Sequence, residues 1–120
     1  MLQVDEPVLR IMERTTESGA VVLTAQGEVD IATVGTLRER VADACERAGD
    51  VTVDLRRITF LDCLGLRVLL EEHDRCAERG GHMDFVQGPP VVRRLFELTG
   101  AMDRLSFVQL GPARRLAPTG

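Results

Sequence analysis

The chain has 120 residues, of which 28% are charged and 44% hydrophobic, with a formal net charge of −4 at neutral pH. That is the size and balance of one globular domain whose core holds without metal or disulfide staples. The acidic balance argues against a protein that binds nucleic acid by neutralising phosphates, and four Phe with no Trp or Tyr offer no base-stacking platform.

Residues 1–7 read as an N-terminal arm, without the apolar stretch of a signal peptide. From Val8 the chain alternates in a strand-like way through Leu9 and Ile11. Residues 16–19 (Thr-Glu-Ser-Gly) are turn chemistry, and residues 20–25 form a second β-rich run ended by Gly27. This predicts an antiparallel hairpin. Apolar residues at Val34, Leu37, Val41, Ala44, Cys45 and Ala48 have helical spacing, and Gly49 is a stop signal. Residues 51–55 have the length and character of a strand buried on both faces.

A second helix is expected from Cys63 or Leu64 to Glu78, capped by Asp62 and ended by Gly80 and Gly81. Met83, Phe85 and Val86 mark another strand. Pro89 and Pro90 open a third helix closed by Gly100, residues 105–108 read as a last short strand, and residues 111–120 as a flexible C-terminal tail. The expected domain is therefore 8–110, in the order β-β-α-β-α-β-α-β. Strands alternating with helices call for parallel pairing, so the fold class is α/β, a mixed sheet of four to five strands with helices packed on it. No run of apolar residues is long enough for a transmembrane helix.

The segment richest in chemical possibility is 54–66, which runs from a buried strand through a turn into a helix N-terminus. Such a junction presents unpaired N–H groups and the positive end of the helix dipole. Cys63 falls at the first helical position, and Gly65 is read as leaving room for close approach to the backbone. The plain alternative is an Asp cap with a small apolar Cys behind it. Glu28 and Asp30 follow the second strand. They alternate with Val29 and Ile31, so both carboxylates are expected to point away from the apolar side, as a solvated turn or as an acidic rim beside a binding surface.

No catalytic constellation is legible, so no enzyme activity, cofactor or metal is expected. His73 and His82 lack a partner at metal-binding spacing, there is no C-x-x-C pair, and the glycines make no phosphate-binding loop. Three cysteines in an odd set favour a reducing cytoplasm over a disulfide scaffold. Cys45 lies on the apolar stripe of the first helix and reads as inert core. Cys76 reads as packing, and it lies about 20 Å along its own helix from Cys63, too far for a disulfide.

Three segments resemble one family. Residues 27–30 (Gly-Glu-Val-Asp) after a hydrophobic strand, Val53-Asp54-Leu55 followed by residues 59–66 (Thr-Phe-Leu-Asp-Cys-Leu-Gly-Leu), and residues 92–100 (Val-Arg-Arg-Leu-Phe-Glu-Leu-Thr-Gly) are similar, in order and spacing, to the signatures of STAS domains, the anti-sigma factor antagonists. The resemblance implies a partner switch. The antagonist docks on an anti-sigma factor with a kinase-like ATPase fold, and the kinase phosphorylates a Ser at the start of the second helix to end the interaction. It also implies a docking region at Asp30, Thr33, Asp62, Cys63, Leu64 and Gly65. In this chain Cys63 occupies the phosphoacceptor position and Leu64 the hydroxyl position after it, so the usual phosphorylation is not expected. Two other functions are open at this point: a thiol sensor using Cys63, and a soluble STAS subunit of a membrane transport complex. The oligomeric state is not legible.

Overall fold

The computed structural model describes residues 8–110; the expected arm at 1–7 and tail at 111–120 lie outside the described residues. Strand β1 (Leu9–Thr15) and strand β2 (Val21–Val29) form the expected antiparallel hairpin. Helix α1 (Val34–Ala48) leads to strand β3 (Asp50–Leu61), helix α2 (Cys63–Glu78) to strand β4 (His82–Val86), and helix α3 (Pro90–Thr99) to a short helix α4 (Ala101–Arg104). The sheet order is β1-β2-β3-β4, with β3 parallel to both its neighbours.

The apolar stretch Val51, Val53 and Leu55 lies at the centre of this sheet, each residue at most 2% exposed. Leu23 and Phe85 flank Val53 from the neighbouring strands in register. Leu37, Val41 and Ala44 of α1 and Leu66, Leu69 and Cys76 of α2 complete the same core. Strand order follows chain order from β2 to β4. With right-handed crossovers, both helices must therefore lie on one face of the sheet. The Arg38 guanidinium of α1 accordingly meets both Glu71 and Glu72 of α2, at 2.6 and 2.8 Å, which ties the helices together along their outer edge.

Strand β3 is longer than the expected 51–55 because it bulges twice and then continues. Val21 faces Val51, an offset of 30 in numbering, whereas Val29 faces Leu61, an offset of 32. The first extra residue enters where Leu55 and Arg56 together oppose Ala25, and the second is Thr59, between the pairs of Gly27 with Ile58 and Glu28 with Phe60. Side chains hold each bulge. The carboxylate of Asp54, 2% exposed, accepts from the Arg56 backbone N–H at 3.0 Å and from its guanidinium at 3.0 and 2.9 Å. The Thr59 hydroxyl donates to the Gly27 carbonyl at 3.2 Å. The sequence expects a turn after the apolar run 51–55, and this local chemistry keeps the chain in a strand there.

Gly27 is required by a close approach. It has φ +119°, and a Cβ there would collide with the Val8 carbonyl, which accepts from the Glu28 N–H at 2.9 Å. The expected last strand at 105–108 is reduced to a single bridge between Phe107 and Phe85. Only the Phe85 N–H to Ser106 and the Val108 N–H to Phe85 bond across it, since α4 consumes the residues before it and Leu105 turns into the core. Phe107 still packs edge-on against Phe96 of α3, with ring centroids 5.7 Å apart. Among the described residues, no helix is long and apolar enough to cross a membrane.

The Asp54→Ala substitution removes the carboxylate from the first bulge and leaves the Arg56 N–H without its acceptor. It should cost about 1–3 kcal/mol of stability. Urea unfolding followed by circular dichroism measures this, and a change within error would mean that the bulge holds without Asp54.

Candidate protein-docking site

Because Val29 and Leu61 are paired, β2 and β3 end side by side, and the Asp62 N–H still donates to the Val29 carbonyl at 3.3 Å. The two loops that follow, at Asp30 and at Asp62, are therefore neighbours at the carboxyl ends of parallel strands. In open α/β sheets this end carries the binding site, usually in a crevice where the strand order reverses. Here the order does not reverse between β2 and β4, so these loops form a surface in place of a crevice.

The first loop is closed by its own polar groups. Asp30 accepts from the backbone N–H of Ala32 at 2.9 Å and of Thr33 at 3.2 Å, the geometry of a turn-forming Asp ahead of a helix. The Thr33 hydroxyl accepts from the Asp30 N–H at 3.0 Å and donates to the Glu28 carbonyl at 2.9 Å. Thr33 is 8% exposed, so its hydroxyl shapes the turn from inside. Ile31 departs from the expected alternation: it is 81% exposed, because the strand ends at Val29 and the chain turns at Asp30.

The second loop matches the expected cap. Asp62 is the N-cap of α2 and accepts from the Gly65 N–H at 2.9 Å. The N–H groups of Cys63 and Leu64 belong to the first turn and have no helical acceptor of their own. Cys63, the first residue of α2, is exposed, and Leu64 is half-buried. Gly65 corrects the reading that it leaves room for another molecule. It is buried, and a Cβ there would stand 2.5 Å from Leu61 Cδ1 and 2.7 Å from Val29 Cγ1. The small residue lets α2 settle onto the ends of β2 and β3, so the close approach is made by the protein's own core.

Asp30, Asp62 and Cys63 are thus brought together at one end of the sheet, with Leu64 partly accessible and Thr33 and Gly65 beneath them. Residue-level reading missed Phe60, 46% exposed on β3, and the exposure of Ile31. Both are large apolar side chains in water beside the two acidic loops. An apolar residue next to a turn-forming Asp was the available signal for Ile31. Nothing local marked Phe60, whose facing depends on the second bulge.

The other titratable groups lie elsewhere. His73 of α2 stacks at a tilt near Phe85, with ring centroids 6.3 Å apart, and His82 faces Asp84 on β4 at 3.3 Å. Among the described residues, no three His, Cys, Asp or Glu side chains are grouped so as to hold a metal ion. Cys45 packs against the core as expected, at its edge: it is half-buried beside Cys76 of α2, and burial together with that neighbouring thiol pushes its own thiol up to about 12.

Comparison with known proteins matches residues 11–113 to the STAS domain family. The anti-sigma-F factor antagonist RsfA of Mycobacterium tuberculosis (strain CDC 1551 / Oshkosh) is 30% identical over 104 residues, covering 82% of this chain and 81% of that protein. The anti-sigma-B factor antagonist of Bacillus subtilis (strain 168) is 27% identical over 77 residues, 64% of this chain and 71% of that one. Among solved structures, an anti-sigma factor antagonist from Mycobacterium paratuberculosis shares the fold with a TM-score of 0.76 at 22% identity, over 89% of this chain and 92% of that one. The motif residues 27–30 close β2, 53–66 run along β3 into α2 and 92–100 lie on α3, and with its match over residues 11–113 the chain belongs to the STAS domain family.

Proposed function

We propose that this protein is an anti-sigma factor antagonist. On this reading it is a cytoplasmic regulator of transcription that acts by binding, not by catalysis. It docks on an anti-sigma factor of kinase-like ATPase fold through the ends of β2 and β3. The observation that carries the reading is the arrangement at that end: exposed Cys63 at the start of α2, the Asp30 and Asp62 loops beside it, and exposed Ile31 and Phe60 in the same region. Named relatives that are antagonists of anti-sigma factors support it.

The docking residues are Asp30, Asp62, Cys63 and Leu64, with Ile31 and Phe60 as apolar anchors. Thr33 and Gly65 position them. Interfaces gain most from large apolar groups that become fully buried, and Ile31 has the most surface to lose of the apolar side chains in these loops. A phosphate added at the first turn of α2 would bring about −1.5 to −2 charges beside Asp30 and Asp62 and drive an apolar or acidic partner away. Cys63 has no hydroxyl to receive it, so the switch used by a Ser at this position is locked in its binding state.

Three measurements follow. The Cys63→Asp protein should keep its fold, since an anion at a helix N-terminus is stabilising by about 0.3–1 kcal/mol. Its desolvated charge should cost about 2–5 kcal/mol of affinity for the anti-sigma factor. Calorimetry of both proteins against the same partner decides it, and equal affinities would place the interface elsewhere. Incubated with that partner and ATP, the wild-type protein should take up no phosphate, whereas the Cys63→Ser protein should be phosphorylated at the new hydroxyl. Phosphate mapped to residues 59–66 of the wild type would refute the locked switch. Gly65→Ala should act on stability instead, by about 1–3 kcal/mol from overpacking against Leu61 and Val29, read as a lower midpoint of denaturation.

A further inference from the structure

We propose that Cys45 and Cys76 form a modification site: a thiol pair that a two-electron oxidant of the peroxide class converts to an intramolecular disulfide joining α1 to α2. Nothing in the docking surface is needed for this. The pair lies near the far ends of both helices, three residues from the end of α1 and two from the end of α2, while the docking loops precede their first turns.

Both cysteines are free and line a cavity of about 60 Å³ that is open to solvent, together with Ala42, Glu46, Glu72, Arg75 and Arg79. This is room for a molecule the size of water or hydrogen peroxide, which needs far less. Cys45 is half-buried at this cavity and is the thiol an oxidant meets first; Cys76 is 2% exposed. Cys76 is also pinned: its thiol donates to the Gly49 carbonyl at 3.7 Å and sits 2.9 Å from where a Cβ on Gly81 would be. A fixed thiol facing an accessible one is the arrangement of a resolving cysteine beside a reacting one.

The chemistry balances without another participant. The Cys45 thiolate attacks one oxygen of the peroxide, the O–O bond breaks, and hydroxide leaves to become water, giving a sulfenic acid on Cys45. The Cys76 sulfur then attacks the Cys45 sulfur, the S–O bond breaks, and the departing hydroxide takes the Cys76 proton as a second water. Two thiols and one peroxide become one disulfide and two waters, with the peroxide reduced. Around Cys45, burial, the Cys76 thiol and Glu72 disfavour the thiolate and Arg79 favours it, and the first group prevails. The reaction is therefore slow at neutral pH and should quicken as pH rises and the thiolate fraction grows. This makes it a response to sustained oxidant, with exposed Cys63 the faster thiol to react.

The test uses the full chain, treated with hydrogen peroxide in mildly alkaline buffer, then alkylated and digested with trypsin without reduction. Cleavage at arginine places Cys45 in residues 41–47, Cys76 in residues 76–79 and Cys63 in residues 58–67. The expected product is a peptide of 41–47 linked to 76–79, absent after reduction and formed faster at higher pH, with a midpoint of thermal unfolding raised by several degrees. Recovery of both peptides as alkylated thiols while Cys63 is oxidised would overturn the proposal, as would Cys63 linked to either of them or a rate that does not change with pH.

Discussion

The register between β2 and β3 is the constraint on which the rest of this structure depends. The side-chain period of a strand is two, so a single extra residue turns the remainder of that strand inside out. Strand β3 carries two extra residues against β2, and the second restores the facing that the first reverses. Val29 and Leu61 consequently both reach the core, and both strands end at the same level. Had either bulge been missing, Leu61 would face water and Asp62 would no longer stand beside Asp30. The buried carboxylate of Asp54 and the exposed hydroxyl of Thr59 satisfy the backbone at these two irregular points, so the position of the Asp30 and Asp62 loops rests on polar groups set back along the strands.

A second consequence concerns shape. Helices α1 and α2 lie on one face, and the strand order never reverses between β2 and β4. The carboxyl ends of the strands therefore offer an area with apolar side chains standing out, where a doubly wound sheet would offer a cleft. The surface there is open, with Ile31 and Phe60 exposed at the strand ends from which α1 and α2 begin. The same layering brings Cys45 and Cys76 together at the opposite end, because antiparallel crossing of the strands by both helices puts their C-termini side by side. One architecture so sets the Asp30 and Asp62 loops at one end and the two cysteines at the other, separated by the length of a helix.

Charge works on a different scale from packing. Glu72 is almost fully buried and accepts from Arg38 and Arg75, and one removed partner would leave the other to hold it. The exposed pairs, Arg47 with Asp43 and Arg93 with Glu97, lie at helical spacing on the surface and contribute little to stability in salt. The two carboxylates at the strand ends act locally instead: Asp30 and Asp62 each accept from backbone N–H groups of the turn or helix that follows them.

Much was legible in the residues themselves. The helix bounds at 34–48 and 63–78, the Asp62 cap, the buried strand and the three family segments all follow from local spacing, capping chemistry and composition, which act over a few residues. What required the tertiary structure was every feature set by partners thirty residues apart. The length of β3 was hidden because the apolar run ends at Leu55 and two charged residues, Arg56 and Arg57, follow it; Asp54 and the neighbouring strand keep them extended. Gly65 read as open and is closed, since its neighbours Leu61 and Val29 come from two strands. Ile31 read as inward and is outward, since the pleat stops one residue before Asp30. Cys45 and Cys76 read as separate core residues and face each other, because only the packing of α1 on α2 decides which side chains meet. Local chemistry determined which elements form and what caps them; the two-residue shift between β2 and β3, a property of neither strand alone, decided what they present.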